Sequence, residues 1–224
     1  VRSNSKMLMY SSAVIEPTSE HKATLIWFHG LDGSAADCAQ QFEPHRNPHI
    51  KYIFPQSPRR KVTLTGSEEP IAAWFNLFGL DGKCEEDVEG IADATGRAHL
   101  LIDYELSLGT PANRIFVGGF SMGGAFAMHV AWHYPATLAG AISCSGYLLN
   151  HRQFPGEADM NRDIPFYLAH GTADTVVVFV FGEISSQIIN GYAKNLTFKR
   201  FENLGHETNK EELHDVQQFI NSHL

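Results

Sequence analysis

Apolar residues along this chain follow two different spacings that alternate from one end to the other. Short runs rich in β-branched and aromatic residues are typical of strands. These runs occupy residues 23–28, 51–54, 114–117, 140–143, 165–169 and 196–201. Apolar residues at helical spacing lie between and after them, at 85–108, 122–133, 182–191 and 209–222. The alternation predicts a mainly parallel sheet with helices on both faces.

Two polar stretches interrupt this alternation. Residues 55–70 and 151–163 contain proline and glycine among polar side chains, so we expect both to be loops. Neither stretch has the length or the composition of an interdomain linker. Because 224 residues are enough for one sizeable core, we predict a single α/β domain over residues 1–224.

The charge of the chain excludes two classes of partner. Its formal net charge of -8 provides no basic field for a nucleic-acid backbone or an anionic membrane surface. The basic run at residues 59–61 is too short to change this. No apolar segment approaches the roughly 20 residues that a membrane-spanning helix needs. We therefore expect neither a nucleic-acid partner nor a membrane span.

The cysteine content indicates an intracellular environment. Cys38, Cys84 and Cys144 are odd in number and have no Cys-x-x-Cys spacing. This pattern argues against both a disulfide framework and a zinc site. We expect reduced thiols in a cytoplasmic protein without a metal site.

The strongest chemical signal follows the strand predicted at residues 114–117. Here Gly119, Phe120, Ser121, Met122 and Gly123 form a Gly-x-Ser-x-Gly motif that leads directly into a helix. In this context the glycines allow a sharp turn that exposes the serine hydroxyl as a nucleophile. The helix N-terminus can stabilise a developing oxyanion, and the N–H of the residue after the serine is its first predicted donor.

A serine nucleophile needs a general base, and the base needs an acid that orients it. In hydrolases with this motif the chain order is Ser, then Asp or Glu, then His, each on a loop after a strand. Asp174 follows the strand predicted at 165–169, and His206 follows the strand predicted at 196–201. Among twelve histidines, position therefore favours His206 as the base, with Asp174 as the acid.

A second oxyanion donor is expected from an earlier strand-to-helix loop. The strand predicted at 23–28 runs into His29, Gly30 and Leu31, a glycine-containing turn of the required type. We predict that the Leu31 N–H is this donor. The alternative interpretation is a tight turn without a catalytic role.

These motifs, together with Trp74-Phe75 and residues 171–177, resemble the acyl-protein thioesterase and carboxylesterase family of serine hydrolases over nearly the whole chain. Residues 14–18, 121–124 and 127–129 are most similar to its lysophospholipase-like branch. The resemblance implies an α/β-hydrolase fold, a catalytic triad of Ser121, Asp174 and His206, and no metal or organic cofactor. It also implies acylated proteins or small acyl thioesters and esters as substrates.

The chain departs from the family pattern at three positions. Met122 stands where family thioesterases often have Gln, Asn76 where Asp usually follows Trp-Phe, and Val178 where Pro often follows the acid loop. Because the oxyanion donor is a backbone N–H, these changes leave the chemistry intact. We expect them to alter substrate preference.

Apolar residues near these motifs suggest where an acyl group could bind. The predicted acyl-site residues are Trp74, Phe75, Leu77, Phe78, Val176 and Val177, with the two residues that follow Val177. Core packing is the alternative for each of them. The expected function is palmitoyl-protein hydrolysis, and the alternative within the class is a short-chain carboxylesterase or lysophospholipase. A binding module on a hydrolase fold is the alternative from another class.

Overall fold

The computed structural model describes residues 12–156 and 160–224. Its strands are β1 Ser12–Ile15, β2 Ala23–Phe28, β3 Ile50–Pro55, β4 Arg59–Arg60, β5 Ile71–Ala72, β6 Ile115–Phe120, β7 Gly140–Cys144, β8 Pro165–Gly171 and β9 Asn195–Phe201. Its α-helices are α1 Ala35–Phe42, α2 Val88–Ser107, α3 Met122–His133, α4 Phe179–Asn190 and α5 Lys210–Ser222.

The main sheet has the strand order β1-β3-β2-β6-β7-β8-β9. β1 is antiparallel to β3, and every other neighbouring pair in this sheet is parallel. From β2 the chain passes outward to β3 and later returns to place β6 on the opposite side of β2. Ligands of open α/β sheets bind at the carboxyl ends of the strands where the order reverses in this way. His29 and Ser121 follow directly after these two strands.

Side chains alternate between two apolar layers, one on each face of the sheet. Ile26 and Phe28 of β2 pack with residues of α2, α3 and α4. Leu25 and Trp27 point the opposite way and pack with residues of α1 and α5. This follows from the period of two along a strand. The predicted parallel sheet with helices on both faces is confirmed.

The apolar spacing did not predict β1 or α1. In α1 the buried residues are Ala35, Cys38 and Phe42, and two of these side chains are too small to produce a clear apolar stripe. A capping signal was present, because the Ser34 side chain accepts a hydrogen bond from the Asp37 N–H at 3.1 Å.

Other helix and loop boundaries differ from the predicted ones by a few residues. α4 begins at Phe179, three residues before the predicted start at 182, because a run of valine and phenylalanine hides the start of the helix. The predicted loop at 55–70 contains the short strand β4, which pairs with β5. Within the predicted loop at 151–163, residues 157–159 lie outside the described residues.

Two expectations from the sequence, reduced cysteines and no membrane span, can be compared with the structure. Cys38, Cys84 and Cys144 are all free thiols. In the part of the chain that the structure describes, no helix combines the length and the apolar character needed to cross a bilayer.

Glu212 of α5 is a buried carboxyl group beneath the sheet. Its side chain is inaccessible to solvent, and among residues 12–156 and 160–224 no N–H or O–H group donates to either carboxyl oxygen. Burial raises its pKa from 4.5 to about 7, and the neighbouring Cys144 thiol offsets only part of this. The folded protein therefore keeps this proton at pH values where the unfolded chain has already released it.

This difference predicts a contribution of Glu212 to stability that falls with rising pH. Because the folded state keeps this proton between pH 4.5 and about 7, the contribution of Glu212 to the free energy of unfolding should decrease by about 3 kcal/mol over that interval. Buried histidines with lowered pKa values, such as His129, act in the opposite direction, so the decrease is measured by urea unfolding as the difference between wild type and Glu212→Gln at each pH. The exposed neighbour Glu211 offers a matched control, and a Glu211→Gln variant that loses the same pH dependence would contradict the assignment.

Candidate active site

The turn between β6 and α3 places Ser121 in an unusual backbone conformation. Ser121 has φ 56° and ψ −124°, a region that non-glycine residues rarely adopt and that costs on the order of 1–3 kcal/mol. The Ser121 N–H donates to the carbonyl of Cys144 at 2.8 Å. A Cβ atom on Gly119 or Gly123 would overlap backbone atoms, including the carbonyl oxygen of Phe28. The glycines therefore let the turn pack directly against the end of β2.

The structure brings Ser121, His206 and Asp174 into one chain of hydrogen bonds. His206 Nε2 lies 2.8 Å from Ser121 Oγ, and His206 Nδ1 lies 2.7 Å from Asp174 Oδ2. A carboxylate can only accept, so Nδ1–H donates to Asp174 and Nε2 is left to accept the serine proton. This is the arrangement of nucleophile, base and orienting acid that serine hydrolysis requires.

Asp174 is held in one orientation by the loop that follows β8. Its Oδ1 accepts hydrogen bonds from the Val176 N–H at 2.9 Å and the Val177 N–H at 3.0 Å, while Oδ2 faces His206. The Asp174 side chain has no exposed surface. Backbone donors thus stabilise a buried carboxylate without a cation.

His170 is a neighbour of Asp174 that the sequence did not single out for this site. Its Nε2 donates to the carbonyl of Val177 at 2.7 Å and lies 3.3 Å from Asp174 Oδ2. Burial lowers the pKa of His170, outweighing the hydrogen bond to Val177 and the charge of Asp174. The ring therefore contributes a neutral donor to the acid loop. Its position at the end of β8, beside Gly171, was the available signal.

The loop that carries His206 is tied to the acid loop by backbone hydrogen bonds. The Thr172 N–H donates to Phe201 at 2.9 Å and the Ala173 N–H to Leu204 at 3.0 Å. The ring of Phe120 packs against the His206 ring with centroids 4.9 Å apart. Base and acid consequently share one rigid support at the carboxyl ends of β8 and β9.

The two predicted oxyanion donors belong to segments that adjoin Ser121. Met122 is the first residue of α3, and a Cβ on Gly30, next to Leu31, would lie 3.3 Å from Ser121 Cβ. Among the described residues, neither the Leu31 nor the Met122 N–H donates to a backbone acceptor. Both groups are therefore free to bind a substrate oxygen.

Comparison with known proteins agrees with this geometry. Residues 9–224 match the Phospholipase/Carboxylesterase family. The chain belongs to this family. It is 34% identical to acyl-protein thioesterase 1 of Yarrowia lipolytica, with 96% of this chain and 98% of that protein covered. It is 32% identical to lysophospholipase-like protein 1 of Mus musculus, with 94% and 91% covered.

A solved structure of the same family shows the same fold. The crystal structure of Zea mays acyl-protein thioesterase 2 superposes with a TM-score of 0.84 at 32% identity, covering 95% of this chain and 98% of that one. The predicted resemblance and the predicted α/β-hydrolase fold are thus confirmed. The relatives that carry these two names match this chain at nearly equal identity. Sequence identity therefore does not assign the chain to one of the two branches of the family.

The residues predicted for an acyl site are distributed over three environments. Trp74, Phe75 and Leu77 are buried in the core layer that contains α2 and α3, as the core-packing alternative states. Phe78 and Val176 are exposed at 44% and 55%, whereas Val177 is buried at 2%. The role of these residues in substrate binding stays a prediction.

A cavity of about 220 Å³ has a lining that contains none of these residues. Its walls come from the segment 79–86, from Tyr147 and Leu148 after β7, and from one face of α4. The Tyr147 hydroxyl is buried without a hydrogen-bond partner among the described residues. The sequence pattern did not indicate this cavity, because its walls come from three separate segments.

Comparing two substitutions at Ser121 isolates the strain of its backbone. Ser121→Gly and Ser121→Ala both remove the hydroxyl and its hydrogen bond to His206. Glycine tolerates the positive φ of 56°, whereas alanine keeps a Cβ in a conformation that disfavours it. We expect the glycine variant to be more stable by about 1 kcal/mol in urea unfolding. Equal unfolding midpoints would contradict a strained turn.

Proposed function

We propose that this chain hydrolyses acyl thioesters or carboxylic esters through an acyl-serine intermediate on Ser121, in the manner of an acyl-protein thioesterase. The observation that carries the proposal is the hydrogen-bond chain from Ser121 Oγ through His206 to Asp174. Relatives named acyl-protein thioesterase, matched over nearly the full length of the chain, support a thioester substrate on an acylated protein.

The first half of the reaction acylates the serine. Ser121 Oγ attacks the acyl carbon as its proton passes to His206 Nε2. The carbonyl π electrons move to the oxygen, and the Leu31 and Met122 N–H groups stabilise the oxyanion that forms. Collapse of this intermediate breaks the bond to the thiol or alcohol, which leaves with the proton from His206.

The second half repeats these steps with water. His206 Nε2 accepts a proton from water as the oxygen attacks the acyl-Ser121 carbonyl, and the same two N–H groups hold the second oxyanion. Collapse breaks the ester bond to Ser121 Oγ and releases the carboxylic acid. The proton on His206 returns to Ser121, while Asp174 keeps the imidazole in one orientation throughout.

We further propose that the 220 Å³ cavity binds the acyl group. Its lining is mostly apolar and includes Leu148, Phe181, Ile184 and Ile188. α4 begins directly after the loop of Asp174, so its first turn starts at the same edge of the sheet as the triad, which supports this proposal. An apolar cavity of this kind suits a hydrocarbon chain.

The volume of the cavity favours a second candidate function. A cavity of roughly 150 Å³ holds one benzene molecule, and small-molecule sites usually span about 300–1,000 Å³. At about 220 Å³, this cavity lies below that usual range, so it suits a short acyl chain better than a palmitoyl chain. This observation favours the short-chain carboxylesterase alternative. The cytoplasmic location suggested by the cysteines stays a prediction.

Loss of the nucleophile should abolish turnover. We expect Ser121→Ala to reduce kcat/KM for acyl thioesters and oxyesters by about 10⁴-fold or more, and His206→Ala to prevent labelling of Ser121 by a fluorophosphonate probe. His214→Ala on α5, where the side chain is exposed, is the control and should label normally. Turnover that survives in Ser121→Ala would refute the proposed mechanism, and absence of turnover in the wild type would favour a binding module.

Filling the cavity should shorten the preferred acyl chain. Ile184 and Val180 both lie on α4 and are both 46% exposed, but only Ile184 lines the cavity. In a series of thioesters and oxyesters from about two to sixteen carbons, Ile184→Trp should reduce kcat/KM for longer chains about tenfold and leave acetyl esters unchanged. Val180→Trp should leave the chain-length profile as in wild type. Equal losses at every chain length would argue against this cavity as the acyl site.

A further inference from the structure

His29 is a buried histidine at the end of β2 that the proposed mechanism does not use. Its side chain is 1% exposed. Nδ1 lies 2.6 Å from the carbonyl oxygen of Gly30, and Nε2 lies 3.1 Å from the backbone nitrogen of Ser57. Both ring nitrogens are therefore engaged by the protein, on opposite sides of the ring.

The partners of His29 determine its tautomer. A backbone N–H can only donate, so His29 Nε2 must be the unprotonated acceptor of the Ser57 hydrogen bond. The Gln56 amide nitrogen, 3.2 Å away, donates to the same atom, and its orientation is set because Gln56 Oε1 accepts from the Ala35 N–H at 2.9 Å. The ring proton consequently resides on Nδ1, which donates to Gly30.

The ring also stays neutral. Burial lowers the pKa of His29, and the hydrogen bond to Gly30 and the charge of Asp32 offset only part of this. A protonated ring would carry a hydrogen atom on both nitrogens, and the one on Nε2 would face the hydrogen of the Ser57 N–H. The neutral Nδ1–H form is the one that fits every described neighbour.

The hydrogen bond to Gly30 orients the next N–H along the chain. The Gly30 carbonyl and the Leu31 N–H belong to one planar trans peptide, so they point in opposite directions. The Gly30 carbonyl also accepts a hydrogen bond from the Gly33 N–H at 3.1 Å, and the two donors together turn the Leu31 N–H away from the His29 ring. Ser121 lies against the same loop, since a Cβ on Gly30 would stand 3.3 Å from Ser121 Cβ.

The loop is also fixed on both sides of this peptide. The carbonyl of His29 accepts a hydrogen bond from Trp74 Nε1 at 2.8 Å, and the Asp32 N–H donates to Ala72 at 2.8 Å. Trp74 packs against the His29 ring with centroids 4.9 Å apart. Trp74 therefore contacts the loop that begins at His29 through both its Nε1–H and its ring.

We propose that His29 is a positioning residue, whose Nδ1–H holds the Gly30–Leu31 peptide so that the Leu31 N–H is preorganised as an oxyanion donor. This role rests on the proposed function, because an oxyanion forms only if Ser121 attacks an acyl carbon. A preorganised donor acts on the transition state, whereas a donor that must first reorient loses most of its effect. His29 itself does not touch the substrate.

Two substitutions separate the two hydrogen bonds of His29. His29→Asn keeps an N–H group near the position of Nδ1 and can still donate to Gly30, whereas His29→Gln reaches the position of Nε2 and can accept from Ser57. We expect His29→Gln to lower kcat about 100-fold with little change in KM, and His29→Asn to stay within about tenfold of wild type. Thermal unfolding of both variants shows whether each is folded.

The outcomes distinguish this role from the proposed function. Equal losses in the two folded variants, or losses confined to KM, would overturn the positioning role while leaving Ser121 hydrolysis intact. Absence of Ser121-dependent turnover in wild type would overturn the proposed function, and this role with it. If either variant fails to fold, imidazole ¹⁵N NMR of the wild type decides: a proton on Nδ1 supports the role, and a proton on Nε2 overturns it.

Discussion

The close packing of the β6–α3 turn on the end of β2 is the constraint on which the rest of the site depends. Glycine at positions 119 and 123 lets backbone meet backbone there, because any Cβ would overlap the neighbouring chain. Ser121 is thereby held at φ 56° at the tip of the turn. Cooperative packing on both sides of the sheet can sustain this strained residue where an isolated turn could not.

The same packing brings Ser121 next to the two segments that are proposed to supply the oxyanion donors. Since the turn rests on β2, the loop that begins at His29 lies beside Ser121, and the N-terminus of α3 lies directly behind it. Two neutral buried histidines contact the loops of the site: His29 donates to the carbonyl of Gly30, and His170 lies 3.3 Å from Asp174. A charged ring at either place would be costly to bury. The polar groups of the site are thus oriented mainly by backbone partners.

The fold was predictable wherever apolar spacing was strong. α3 was predicted with the bounds it has, Met122–His133, because nearly all of its residues are buried and apolar. α1 was missed, since its buried face consists of two small residues and Phe42. The start of α4 was displaced because β-branched residues obscure a helix whose N-terminus is set by tertiary contacts. At α1 and at the start of α4, tertiary contacts determined the structure more than local helix propensity did.

For the site, the sequence by itself determined the kinds of residue and their order along the chain: a serine between glycines, an acid and a histidine, each after a predicted strand. Parallel strands bring such loops to one edge of the sheet, so their convergence was already implied. The tertiary structure alone decided which neighbours orient them. The tautomer of His29 and the cavity beside α4 join segments distant in sequence, and the contact of His170 with Asp174, four residues later, depends on how the loop after β8 folds back. Hydrogen-bond partners and cavity walls are properties of packing, and no periodicity along one strand or helix encodes them.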